Sequence, residues 1–528
     1  MTTRTRPTMG FLAQSIIASA FLIASPFLVA SPASAGKTEN FTWSTEMISD
    51  EVVPTHTLII SSPGGSITIE PSDQNIISLK ATLEMVNVDK RNMDRFAQET
   101  KVTLEPRKDS YQVIVKTPES IGITLKNLPR IVRGCIEELK GGGWNYFPSA
   151  EVDLEIKIPR DMPAQIETSY GNVSVTGISG EIEIVNESGE VTLQDIGGGA
   201  KIRNSYGKVS VLHCSGDIAV INSSGEVDIE GAGGTVDVQS SYEDISVRQV
   251  SGAVILRNES GRVTAIDIGG DVQIESSYEP VRVAHVTGGA TITCESGAIN
   301  VLDIGGDAHI KTSYEPVELS DVKGSAGIDA SNSEISVEGV LGSVDIKSSY
   351  ERVHVLKVGG YCTVRTESAQ VILGEITGEV NVRSSYESIE ARNIGGALSI
   401  DGDSSPVIVD RVDGPLKIQN SYEYVIVKGT KSSVQITGSS SPVEISEIRA
   451  FPSDGLIDVA TSYERITLYL PADPSARIRA ATSDGEIESD FPMTYQKNGE
   501  WRAEMELGSG GCEITLETSG DIYIKKAH

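Results

Sequence analysis

From Ser169 to Glu447 the chain divides without a gap into 31 consecutive units of nine residues. The first six read SYGNVSVTG, ISGEIEIVN, ESGEVTLQD, IGGGAKIRN, SYGKVSVLH and CSGDIAVIN. In every unit the fifth and seventh residues are Val, Ile, Leu, Ala or Cys, from Val173 and Val175 to Val443 and Ile445. The residues between and beside them are mostly polar. Two apolar positions flanking a polar one describe a short strand with one buried face, and Val and Ile suit a pleated, buried surface. So short a strand cannot bury its face alone, so the units must stack on one another.

The units are of two alternating kinds. One opens apolar-x-Gly, as in ISG at Ile178, IGG at Ile196 and VDG at Val412, and keeps its glycine in 14 of 15 copies, losing it only at Ser432. A position so restricted either needs a positive φ or has no room for a Cβ. The other kind opens with Ser or Glu followed by Tyr or Ser, and its third position takes Gly, Glu, Ser or Ala. One unit of each kind makes an 18-residue coil with two strands and two unlike corners. The inward residues Val173, Val175, Ile178, Ile182 and Ile184 recur one coil later as Val191, Leu193, Ile196, Ala200 and Ile202. The spacing predicts an all-β fold, a β-solenoid (β-helix) of 18-residue, two-strand coils. With strands about 4.8 Å apart, the array would form a rod of roughly 75 Å.

Three other architectures compete. A hexapeptide helix also has 18-residue coils, but its apolar positions lie six apart rather than nine. A calcium β-roll needs the register G-G-x-G-x-D-x-U-x, which units such as IGGDVQIES lack. A β-propeller with four strands per 36-residue blade is the remaining alternative. Against it, alternate units are nearly interchangeable, whereas the four strands of a blade have different surroundings.

The ends do not keep the nine-residue period. Residues 1–35 read as a signal peptide: Arg4 and Arg6 form a basic start, Phe11–Ala30 is apolar, and Ala33-Ser34-Ala35 is a small-x-small cleavage pattern. An uncleaved anchor is the alternative, although the apolar stretch holds Gln14 and Pro26. No second span is expected in a mature chain beginning near Gly36. Residues 36–159 alternate as strands (HTLIISS, GSITIEP, IISLKATLEM, YQVIVK) around one expected helix, NMDRFAQETK, and a less regular segment from Lys126 to Gly143. They read as a β-rich N-terminal cap over a regular array spanning 160–447. Residues 448–528 read as irregular C-terminal coils and a cap, with a five-residue insertion around Pro452-Ser453-Asp454-Gly455 and a hairpin at Lys497-Asn498-Gly499. Irregular, charged ends protect a solenoid from edge-to-edge aggregation.

The ends also carry a resemblance. EVDLEIKIPRDMPAQIETSYGNVSV is similar to the opening segment of a bacterial family of exported β-strand-repeat proteins of unknown function, often labelled adhesins. ITLYLPADPSARIRAATSDGEIESDFP and CEITLETSGDIYI resemble its closing segments, so the likeness runs from about Thr55 to the end. The resemblance implies a β-helical fold and an envelope or surface setting. It supplies no catalytic residues, and the 36-residue order here is more regular than the family pattern.

Reactive constellations are missing from the sequence. The six histidines (His56, His213, His285, His309, His354 and His528) are scattered over solvent-type positions. No H-E-x-x-H, G-x-S-x-G, phosphate loop or nucleophile–His–Asp spacing occurs. The carboxylate pairs Asp267/Asp271 and Asp303/Asp307 flank the I-G-G corner and read as solvated turns rather than a cation site. Five irregularly placed cysteines (Cys135, Cys214, Cys294, Cys362 and Cys512) make neither a disulfide framework nor a metal site. Cys362 in a core slot and Cys214 at a corner read as small hydrophobes. A formal charge of −30 disfavours nucleic acid and anionic membrane as partners. No cofactor, metal or catalytic residue is expected.

One surface feature repeats. Tyr170, Tyr206, Tyr242, Tyr278, Tyr314, Tyr350, Tyr386 and Tyr422 recur at every second coil, and Tyr463 follows the insertion. They alternate at one corner with smaller residues such as Ser188, Ser224 and Ser260, and from Tyr242 onward each is followed by Glu. Either the rings fill space over the small residue of the next coil, or they form an exposed ladder of contact residues. The expected function is a non-enzymatic, exported (periplasmic, cell-surface or secreted) binding scaffold, adhesin-like, whose partner is a glycan or an envelope or surface protein. A purely structural or self-assembling rod is the alternative, and a polysaccharide-active enzyme a distant third.

Overall fold

A computed structural model describes residues 39–88, 90–118, 149–450, 455–498 and 500–527. The expected signal peptide, the segment from Lys126 to Gly143 with Cys135, most of the insertion at Pro452-Ser453-Asp454, Gly499 and His528 lie outside these residues. The chain divides into two compact units, one ending at Gly198 and the other beginning at Gly199.

Each unit is β-solenoid. In the second, successive strands on the same side pair in parallel with partners one coil on: Val209 faces Val227, Val227 faces Ile245, and the series runs to Val425 facing Val443. The opposite sheet repeats this from Ala200 facing Ile218 to Leu416 facing Val434. Such parallel stacking rules out propeller blades. The five-residue insertion appears as a slip in the pairing, with Val434 facing Ile457. Both apolar slots of every nine-residue unit are buried, none more than 3 % exposed. The leading apolar residue of the apolar-x-Gly units is buried beside them.

The regular spacing of glycine has a steric cause rather than a conformational one. A Cβ on Gly270 would lie 2.7 Å from the Ala253 nitrogen and 2.8 Å from the Gly252 carbonyl carbon. These glycines stack so closely that several donate their N–H to the one below, as Gly270 to Gly252 (3.0 Å) and Gly306 to Gly288 (2.8 Å). The positive φ lies elsewhere, at the ninth residue of each Ser/Tyr unit. All sixteen such residues from Gly177 to Glu447 are left-handed, and twelve are not glycine, among them His213, Gln249, Asp267, His285, Lys357 and Arg411.

The ends are interleaved. In the first unit the strands Thr57–Ser62 and Ile67–Ser72 form a coil of their own. Thr57–Ser62 pairs in parallel with Ala164–Tyr170, and Ile67–Ser72 with both Ser149–Pro159 and Val173–Thr176. The expected N-terminal cap therefore begins the stack as well as covering it. Two antiparallel additions finish the edges: Glu39–Ile48 on Ser78–Val88 and Lys101–Pro106 on Ser110–Lys116. The expected helix spans Lys90–Glu99 and buries Met93 and Phe96.

In the second unit the last strands, Cys512–Thr518 and Ile522–Lys526, are inserted one coil from the end. Cys512–Thr518 lies between Leu456–Ala460 and Ala476–Thr482, and Ile522–Lys526 between Ile466–Leu470 and Ile487–Ser489. The expected hairpin is present: Thr494–Asn498 pairs antiparallel with Glu500–Leu507, which caps Ala476–Thr482.

Candidate binding stripe at the tyrosine corner

The corner that carries the tyrosines alternates between two shapes. In the coils without tyrosine, which carry Ser or, at Asn332, Asn at the second position, the third residue turns inward from Gly225 onward. Gly261 and Gly297 are buried, Ser333, Ala369, Ser405 and Ser441 show no exposure at all, and a Cβ on Gly261 would meet the Asn258 amide at 2.7 Å. In the tyrosine coils the third residue is Glu from Glu243 onward, and Glu243, Glu279, Glu315, Glu351, Glu387 and Glu423 are exposed. The 36-residue period is thus an alternation of recessed and protruding corners, and tyrosine sits on the protruding one.

The rings face solvent. All nine stripe tyrosines are between 58 % and 78 % exposed, with Tyr350 the least and Tyr463 the most. None stacks on another ring among the described residues, and none of their hydroxyls bonds to protein there. A ring filling space over the next coil would lose most of its surface, and these rings keep most of theirs. Three tyrosines also sit in costly backbone: φ is +69° at Tyr386, +73° at Tyr422 and +68° at Tyr463. Each is the centre of a three-residue turn closed by the following Glu amide on the preceding Ser carbonyl, as Glu387 to Ser385 at 2.9 Å. Bulky residues avoid this region.

Beneath the corner runs a row of buried polar residues that the alternation does not mark. The ninth residue of each apolar-x-Gly unit faces inward, and Asn186, Asn222, Asn258 and Asn420 are each at most 4 % exposed. Their amides hold the corner carbonyls. Asn258 Nδ2 donates to Glu243 O (3.0 Å) and Gly261 O (2.9 Å), and Asn420 Nδ2 to Ser405 O and Glu423 O (both 2.9 Å). Several other positions in the row hold Ser or Thr, among them Ser240, Thr312 and Ser348, whose hydroxyls find no partner, while Cys294, Ala330 and Gly402 interrupt the polar run.

The stripe carries unbalanced charge. Elsewhere carboxylates pair across coils, as Glu338 with Lys357 (2.6 Å) and Asp345 with Arg365 (3.3 Å). Among the described residues, the stripe glutamates from Glu243 to Glu464 enter no ion pair. The nearest cations in sequence are Arg352, which pairs with Glu334 at 3.5 Å, and Arg465.

The other candidates resolve into structural roles. Asp271 and Asp307 each accept the backbone N–H of the next coil, from Gly289 (2.8 Å) and Ser325 (2.7 Å). Asp303 instead meets His285 Nδ1 at 3.3 Å and Lys323 at 3.9 Å, on an exposed corner. The pairs Asp267/Asp271 and Asp303/Asp307 therefore do not converge. Among the described residues no group of three His, Cys, Asp or Glu side chains could hold a metal ion. Burial raises the thiol pKa of Cys214, Cys294 and Cys512, and pushes that of Cys362 up to about 12, so none is an activated nucleophile.

Two depressions had no sequence signal. One of about 280 Å³ opens where Gly327 leaves a gap on a sheet face, ringed by His309, Lys311, Asp329, Asp345 and Lys347. The other, about 670 Å³, lies on the terminal strands among Arg479, Glu500, Arg502, Glu504 and Glu517.

Residues 56–302 match the family model described as Toastrack DUF4097. No curated protein matches the chain. A solved structure from Clostridium sporogenes, described as a "putative cell adhesion protein", is 12 % identical and covers 49 % of this chain and 99 % of its own. Its TM-score of 0.17 carries no argument about this chain. The family match agrees with the resemblance drawn from the opening segment; the closing segments lie beyond residue 302.

Proposed function

We propose, for a chain whose residues 56–302 match the Toastrack DUF4097 family model, that it is an exported, non-enzymatic binding scaffold. Its contact surface is the row of tyrosines from Tyr206 to Tyr463. One observation carries this reading: eight rings stand mostly in solvent at one repeated corner, with no ring stacking and no hydroxyl hydrogen bond among the described residues. Rigid aromatics give large contact area at little entropic cost. The strained turns at Tyr386, Tyr422 and Tyr463 support the same reading, because a tyrosine kept there for stability alone would give way to glycine.

The test is retention of the secreted protein on isolated cell envelopes, compared with a variant in which Tyr242, Tyr278, Tyr314 and Tyr350 are replaced by Ser. Retention of the wild type that falls about tenfold or more in the variant is expected, since buried aromatic anchors each contribute about 1 kcal/mol or more. Equal retention of the two proteins would leave only a structural rod.

A further inference from the structure

The stripe has a pitch, and the pitch selects a ligand. Neighbouring tyrosines are separated by two coils, hence by two strand spacings, or about 9.6 Å. A polyproline II chain rises about 3.1 Å per residue with three residues per turn, and so repeats every 9.3 Å or so. Over the six intervals from Tyr242 to Tyr463 the stripe spans about 58 Å and eighteen polyproline residues about 56 Å. Other chain conformations do not keep step. An extended strand presents one face every ~6.7 Å, and two turns of α-helix take about 10.8 Å, drifting by roughly 7 Å over the same distance.

The surface between the rings fits the same chain. Each pair of tyrosines flanks a recessed corner whose third residue is buried, as at Gly261, Gly297, Ser333, Ala369 and Ser405. Polyproline ligands dock by seating their rings between exposed aromatics. Beside the rings runs the row of exposed glutamates, without ion pairs among the described residues. In a three-residue repeat every third side chain falls on one side, so a Lys or Arg at that position would follow the glutamates while prolines meet the tyrosines.

We propose that the stripe from Tyr242 to Tyr463 is a docking track for a basic, proline-rich polypeptide in the polyproline II conformation. This rests on the reading of the stripe as a contact surface. It also explains why Glu joins Tyr only from Tyr242 onward: Tyr170 and Tyr206 are followed by glycine and lie outside the charged track.

The probe is fluorescent (Pro-Pro-Lys)6, titrated against the mature protein beside (Gly-Ser-Lys)6, which has equal charge and no polyproline II preference. Binding of (Pro-Pro-Lys)6 is expected to exceed that of (Gly-Ser-Lys)6 by about tenfold, and to drop about tenfold when Tyr278, Tyr314, Tyr350 and Tyr386 become Ser. Replacing Glu279, Glu315 and Glu351 by Gln should weaken it and flatten its salt dependence. Equal binding of the two peptides, or no loss in the tyrosine variant, would overturn the proposal. A panel of soluble glycans in the same assay separates the two levels. Tyrosine-dependent glycan binding without (Pro-Pro-Lys)6 binding overturns the track and keeps the contact surface. Tyrosine-independence with every probe overturns both.

Discussion

Asn258 and Ser240 occupy the same buried row, one coil apart, and should respond in opposite ways to truncation. Asn258 is 4 % exposed and donates to the carbonyls of Glu243 and Gly261. Asn258→Ala strands both acceptors at about 1–3 kcal/mol each. The same change removes the amide oxygen of Asn258, which has no partner, and so recovers a similar amount once. The net loss is about 1–3 kcal/mol. Ser240, 3 % exposed, carries a hydroxyl without a partner. Ser240→Ala removes an unsatisfied buried group, so stability should be unchanged or rise by up to about 1 kcal/mol. A long repeat array need not unfold in one step, so urea midpoints should be read together with native-state hydrogen exchange. The Asn258→Ala loss should be concentrated in amides of the coils carrying Glu243 and Gly261. Equal effects of the two substitutions, or uniform exchange along the array, would refute the view that these amides anchor the tyrosine corner.

Two further outcomes follow from the corners. Gln249 is exposed, has φ +54° and makes no side-chain hydrogen bond among the described residues; Gln249→Gly should stabilise by about 0.5–1 kcal/mol, the relief of a left-handed side chain less the entropy of glycine, and a lowered urea midpoint would contradict this. Asp217 accepts the Thr235 amide at 2.8 Å and hydroxyl at 2.9 Å, which hold its carboxyl below the usual range. A depressed folded-state pKa contributes stability above the unfolded value, near about 3.9, that is lost as pH falls through the folded one. The difference in urea midpoint between wild type and Asp217→Ala should therefore be present at neutral pH and shrink as pH falls below the unfolded value; a difference that grows on acidification would show the sign to be wrong.

The core was legible because its signal is doubly periodic. Alternation within nine residues marks each strand, and repetition at every second unit marks the stack, so every slot from Val173 to Ile445 is where the pattern puts it. The glycine row was legible as a restriction, though its cause needed the 2.7 Å approach at Gly270 to resolve. The left-handed row was not legible. Asp, His, Gln, Lys, Glu, Asn and Arg all occupy it, because a side chain pointing into solvent at an isolated turn adds only a modest conformational cost. The buried asparagines were hidden for a different reason: Asn258 looks like one more polar residue until the corner folds its carbonyls inward over it. At the candidate stripe, the tyrosine spacing could be read directly, but the choice between filler and contact surface depended on exposure, which a single corner position does not encode. The interleaved ends left no trace, since Ile466–Leu470 could pair as well with Ile487–Ser489 as with Ile522–Lys526 by alternation alone.

That interleaving divides the array by the order in which it can form. Through the middle, each strand needs only the strand one coil away, and a chain emerging from its N-terminus can add coils as they arrive. The final coil cannot be added this way. Thr518 must reach back to the Glu464 carbonyl, and Ile522–Lys526 must enter between two strands that resemble each other closely enough to pair directly. Premature contact between those two would leave the segment from Cys512 onward without a seat and one parallel edge open to another chain. Full-length synthesis is thus a condition for a closed end, and a chain cut short before Cys512 would carry its incompleteness as an exposed strand edge.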